Sequence, residues 1–203
     1  MIEVEELAHY LPSYLSAAGT KELFDALGQF PTNLDERLYT SLLAHEKVIF
    51  QGDGLRDLLF VHLPDIVIAP FNCMVLSNTC DMDPENRRSF PASICYAPII
   101  SVEKYENALL QHTKRTPEQV QDRIMAIRVQ KVTEIFYLPR GGQLEQESMV
   151  LLDRICHCDS GAIELSEIPA KRIFTLSDYG AYLFLFKLAV HLTRMTDKVS
   201  RSA

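Results

Sequence analysis

Directly after the apolar run Met74-Val75-Leu76 stand Ser77, Asn78, Thr79, Cys80 and Asp81, five side chains with four kinds of polar chemistry. A buried strand needs Val and Leu, but packing has no use for hydroxyl, amide, thiol and carboxylate groups at its end. Strand ends that hand polar groups to a surface loop are where sites are commonly built. Two readings are open. In the first, Cys80 is a nucleophile: a thiol gains reactivity when a cation or base lowers its pKa, although the adjacent Asp81 works against that. No histidine is near in sequence, so His62 or His157, both on predicted strands, would have to reach it through the fold. In the second, Ser77, Asn78, Thr79 and Asp81 bond loop amides in an Asx-type turn, with Cys80 buried as a small hydrophobe.

Cys156-His157-Cys158-Asp159 forms a second group. On a strand Cys156 and Cys158 point one way and His157 the other. Two thiols on one face are half of a tetrahedral zinc site, to be completed by Cys80, Cys73 or a histidine. The spacing is not Cys-x2-Cys, and Cys alternating with His also describes an ordinary half-buried strand, so no cofactor or metal is favoured. Just upstream, Asp153 and Arg154 interrupt the apolar residues Val150-Leu151-Leu152 and Ile155. A charge at that depth needs a partner. Asp81 across the sheet is the structural choice for Arg154, and a bound anion the functional one. Arg140-Gly141-Gly142 offers backbone amides to an anion, but a lone Gly-Gly with no helix behind it reads as a flexible loop.

The elements that must position these groups follow from the patterning. The chain has 203 residues, 47% hydrophobic and 23% charged, enough for one large domain with a real core. Val4, Leu7, Leu11 and Leu15 recur at helical spacing, Thr20 caps a helix over Lys21 to Leu27, and Asp35 starts a third with Leu38, Leu42 and Leu43 on one side. Strands are expected at Val48 to Phe50, Leu58 to Val61, Ile66 to Ile68, Cys73 to Ser77 and Ala92 to Ile100. Helices return at Glu103 to Leu110 and after Thr116-Pro117-Glu118-Gln119, a strong start signal. Strands resume at Glu134 to Leu138, Met149 to Cys158 and Lys171 to Thr175. Ser177 and Asp178 then open a long apolar helix to about Thr193.

This order resembles the PemK/MazF-like barrel, the SH3-like fold of bacterial toxin endoribonucleases. The counterparts are Pro64-Asp65-Ile66-Val67-Ile68, Met74-Val75-Leu76-Ser77, Tyr96-Ala97-Pro98-Ile99-Ile100-Ser101 and Leu151-Leu152-Asp153-Arg154-Ile155, with a helix from Leu176. Ser77 to Asp81 is also similar to a Ser-x-Thr-Cys-Asp motif of other bacterial proteins. The resemblance implies RNA cleavage and a toxin–antitoxin-like setting. Yet the Arg-Pro expected before the hydrophobic strand is Asn72-Cys73 here, and the polar position after Ala-Pro-Ile is Ile100, followed by Ser101. Phosphoryl transfer without its cation loses the electrostatic stabilisation that usually dominates; Arg154 is the substitute from another strand.

The expectation is therefore an α+β protein: a small SH3-like barrel or strongly bent sheet over residues 47–203, with a helical insertion at about 102–130 and a helical arm over 1–46. The leading functional expectation is a regulatory or defence-type interaction module without strong catalytic activity. The alternatives are an endoribonuclease using Ser77, Thr79, Cys80, Asp81 and Arg154, and a zinc module using Cys80, Cys156 and Cys158. The C-terminal helix, apolar on nearly every face, is the expected surface for a protein partner or self-association. A net charge of −7 disfavours RNA. No window approaches the roughly 18–20 apolar residues of a membrane span. The acidic start lacks a basic n-region, and an odd number of cysteines fits a reducing cytoplasm.

Overall fold

The computed structural model describes residues 17–64, 66–86 and 89–193. The helix expected around Val4 to Leu15 lies outside them. Helix α1 (Ala17–Gly28) covers the expected second helix but begins before it, so Thr20 lies within the helix rather than capping it, and the third is a single turn, α2 (Leu34–Arg37). Tyr39 and Thr40 leave the helical pattern altogether and form strand β1 (Tyr39–Thr40). The remaining strands are β2 (Gly54–His62), β3 (Val67–Val75), β4 (Ser93–Ser101), β5 (Ile135–Leu138), β6 (Ser148–Leu151), β7 (Cys156–Asp159) and β8 (Arg172–Leu176). Val48 to Phe50, expected as a strand, is irregular.

All ladders are antiparallel and join eight strands in the order β1-β8-β2-β3-β4-β6-β5, with β7 also on β4. The sheet is open, so the expected closure into an SH3-like barrel is not formed. Where closure would occur, side chains and loops stand in for a ladder. Tyr96 Oη donates to Leu59 O (2.6 Å) and the Cys156 thiol to Val61 O (3.4 Å), which occupies the outer edge of β2. At the far ends Tyr39 Oη donates to Pro139 O (2.8 Å) and Gln143 N to Ile173 O (2.7 Å).

The single strand expected from Met149 to Cys158 is two. Both β6 and β7 lie along one edge of β4, and their registers differ by a bulge over residues 152–155. Its cause lies on the neighbouring strand. Cys95 turns its N–H and C=O to the β3 side, toward Ser77 Oγ and Leu76 N. By alternation Pro98 faces the β6/β7 edge, where it has no N–H to give. Leu152 stays buried in the bulge, while Asp153 and Arg154 are exposed rather than at depth.

Strand alternation divides the core into two halves. Met74, Ala97 and Ile99 face a larger cluster with helices α5 (Pro117–Arg128) and α7 (Asp178–Thr193). Cys73, Val75, Ile94 and Tyr96 face a smaller one closed by Ile163 and Ile168. The insertion is fixed by its own sequence. Thr116 and Gln119 form the full capping box, and Val120, Ile124 and Ile127 bury one face of α5. Beyond its end, Gln130 bonds both the N–H (3.1 Å) and C=O (2.9 Å) of Tyr137 and so covers the free edge of β5. Helix α7 starts on Ser177, whose Oγ accepts from Gly180 N (3.1 Å). Gly180 is required because any Cβ there would strike the Leu38 carbonyl oxygen. Among the described residues, no helix is long and apolar enough to cross a membrane.

Lys187 on α7 is 6% exposed and donates its Nζ to Gln130 O. Burial pushes its pKa down from 10.5 to about 8. The unfolded chain then binds more protons than the native one between those values, so stability contributed at this site rises with pH across that window. Denaturant titrations at pH 7.5, 8.5 and 9.5, chosen to bracket about 8, test this against Lys187→Met. The wild type is expected to gain stability relative to the variant at each step.

Candidate functional site

Ser77 to Asp81 forms the end of β3 and a one-turn helix, α3 (Thr79–Met82). The side chains of Ser77, Asn78 and Thr79 are bonded to backbone. Ser77 Oγ accepts from Cys95 N (2.8 Å) and donates to Ser93 O (3.4 Å). Asn78 Oδ1 caps α3 through Cys80 N (2.9 Å), and Thr79 Oγ1 accepts from Gln51 N (2.9 Å). The row therefore stitches β3 to β4 and to the turn before β2. Cys80 departs from the structural expectation: it is exposed, not buried. Among the described residues neither His62 nor His157 bonds it. Asp81 lines a separate cleft of about 640 Å³ beside Asp83, Phe90 and Glu164.

Cys156 and Cys158 do share a face, half-buried against the smaller core, while His157 and Asp159 point outward. Burial, with Cys156 close by, pushes the Cys73 thiol up to about 12, and burial raises Cys158 as well. These thiols are neutral, weakly donating hydrophobes. Among the described residues no three His, Cys, Asp or Glu side chains are grouped to hold a metal ion. Cys80, Cys156 and Cys158 are thus not brought together.

Arg154 lies elsewhere, on the β6/β7 edge of β4, whereas Ser77 bonds the β3 edge. Arg154 and Asp81 do not pair with each other; Arg154 lines a groove of about 790 Å³. That groove opens where β3 and β4 separate. The two strands pair from Cys73 to Val75 and from Tyr96 to Pro98; beyond this β3 pairs with β2 alone and β4 with β6 alone. Phe71 and Asn72 line one wall, and Ile99, Ile100 and Ser101 the other. Ser101 also caps helix α4 (Val102–His112), which places Lys104 and Tyr105 on the rim.

Four cations, Arg56, Lys104, Arg123 and Arg154, face three carboxylates, Glu134, Glu145 and Asp153. Arg123 is matched to Glu134 at 2.7 Å. Against the cost of burial, Glu134's own backbone N–H and Arg123 hold its carboxyl below the usual carboxylate range. Arg56 sits in a bulge of β2, where the register shifts between Leu55 and Leu58 and Asp57 has φ +59°. It donates to Gln143 Oε1. The Nε atoms of Arg56 and Arg123 are buried without an acceptor. Of the expected site residues only Arg154 belongs to this groove. Arg56 carried a readable signal: Arg56-Asp57 breaks the apolar run of Leu55 and Leu58 to Val61, which a bulge explains and a regular strand does not.

The chain matches no protein-family model and no curated protein. Its resemblance to the PemK/MazF-like group rests on the short motifs quoted above.

If the polar row is structural, its parts have unequal weights. Asn78→Ala removes a helix cap and is expected to cost about 1 kcal/mol. Cys80→Ala, at an exposed position, is expected to change stability by less than about 0.5 kcal/mol. Urea midpoints at constant slope check both.

Proposed function

We propose that this chain is a regulatory or defence-type interaction module on a PemK/MazF-like scaffold, which receives its partner in the groove between β3 and β4. The observation that carries this reading is the division of labour between two regions. Ser77, Asn78 and Thr79 have their polar groups tied to backbone, whereas the groove is concave, part apolar and furnished with several charged groups. Its volume falls in the roughly 300–1,000 Å³ range of ligand clefts. Five free thiols fit a reducing compartment such as the cytoplasm. Helix α7 leaves Phe186 and Leu192 exposed at 66% and 62%, a second surface for self-association.

Endoribonuclease activity is the second reading, favoured by one observation: Arg154 shares the groove with Arg56, Lys104 and Arg123. Cations gathered in a cleft suit a phosphate backbone, against a chain whose net charge is −7. Fold alone does not decide between the two. Mixed-sequence RNA incubated with the protein at low salt separates them. The interaction reading expects intact RNA, with no difference between wild type, Cys80→Ala and Arg154→Ala. Cleavage lost on either substitution would make the protein a ribonuclease.

A further inference from the structure

The groove has a property beyond its charge: past its Phe71–Asn72 wall, β3 runs on with one backbone edge open. Tyr96 Oη and Cys156 Sγ bond the carbonyls of Leu59 and Val61 from outside the hairpin. Leu59 and Val61 are paired with Pro70 and Ile68. These are therefore the non-hydrogen-bonded pairs of the β2–β3 ladder, and Ile68 and Pro70 turn their backbone groups away from β2. At the other end of β3, Val75 bonds back to the β2 side, with its N–H on Asp53 O (2.9 Å) and its C=O on Gly52 N (2.9 Å). The same alternation runs the length of the strand. Residues 68 and 70 face the β4 side beside the groove wall, where β4 has already turned off to pair with β6.

We propose that an extended segment of a partner protein adds as a strand to the open edge of β3 at Ile68 and Pro70 and continues into the groove, and this rests on the interaction-module reading above. Backbone of an added strand would meet the N–H and C=O of Ile68 and the C=O of Pro70. Pro70 offers no donor, which limits the ladder and blunts the edge toward indiscriminate pairing. Alternate side chains of the guest have apolar neighbours on both faces: Ile68, 59% exposed, and Phe71, 40% exposed, lie on opposite faces of β3. Lys104 and Arg154 line the groove with no ion pair among the described residues, so the guest carries carboxylates at that end. The acceptor-less Nε atoms of Arg56 and Arg123 add donors suited to its carbonyl oxygens. An RNA strand would use the cations but leave the β3 amide edge unmatched, so the peptide is the better fit.

The test uses peptides selected from a displayed random library on the full-length protein. Each selected peptide is resynthesised with backbone N-methyl groups on its odd or on its even residues. An added strand bonds through one alternate set only, so one methylated series is expected to bind at least about tenfold more weakly and the other to match the parent. Ile68→Pro removes an outward N–H without touching a β2–β3 bond, and Arg154→Glu reverses a groove charge. Each is expected to weaken binding about tenfold or more, in proteins that keep the wild-type melting profile. The N-methyl series is independent of whether either variant folds. Peptides sensitive to Arg154→Glu but indifferent to which set is methylated would overturn strand addition while leaving the interaction module standing. No groove-dependent peptide, together with RNA cleavage, would overturn both.

Discussion

The buried pair Asp53–Arg172 is the interaction on which the rest of the chain depends. Arg172 Nε and Nη2 reach Asp53 Oδ2 at 3.2 and 3.1 Å. Its Nη1 donates to the carbonyls of Leu43, Ala44 and Glu46 (2.9, 3.1 and 2.8 Å), Nη2 also donates to Val48 O, and the guanidinium lies over the Phe50 ring. Asp53 Oδ2 in turn accepts from Phe50 N (2.9 Å). One planar donor thus organises the whole irregular segment from Leu43 to Asp53, a stretch long enough to need a reason for order. Asp53 immediately precedes β2 and Arg172 begins β8, so the pair sets where both strands start and hence how β3 is presented to β4. Removal of one member would leave a buried charge alone, a loss of about 3–5 kcal/mol by precedent, although an apolar replacement of both need not destabilise.

That constraint also marks what could be read from sequence. Local signals sufficed for the helices: Thr116-Pro117-Gln119 is a capping box in fact as in pattern, and Ser177 opens α7 where expected. Val48-Ile49-Phe50 has the apolar content of a strand, and nothing within ten residues contradicts it. What overrides it is Arg172, more than a hundred residues away. Met149 to Cys158 reads as one strand because its own alternation is sound; the break comes from Pro98 on the strand beside it. Tyr39-Thr40 is short enough that its pairing with β8 decides its state, not its propensity.

The candidate site follows the same logic. The polar row from Ser77 to Asp81 is conspicuous because it makes a junction where β3 ends: Ser77 replaces a ladder bond to β4, Asn78 caps α3 and Thr79 holds the turn before β2. Arg154 was visible as a charge in an apolar run, but its position at a groove depended on the bulge. Arg56, Lys104 and Arg123 come from three other elements, and only the parting of β3 and β4 brings them together. A pocket built from strands that diverge has no local sequence signature, since each strand alone is ordinary.

In the free protein β3 keeps an open edge beside the groove, and amide hydrogen exchange tests this residue by residue. Val67 and Ala69, whose N–H groups face β2, should exchange slowly, and Ile68 between them should exchange fast. Ile68 protected as strongly as its two neighbours would mean that the edge is already covered, and the groove could not take a strand.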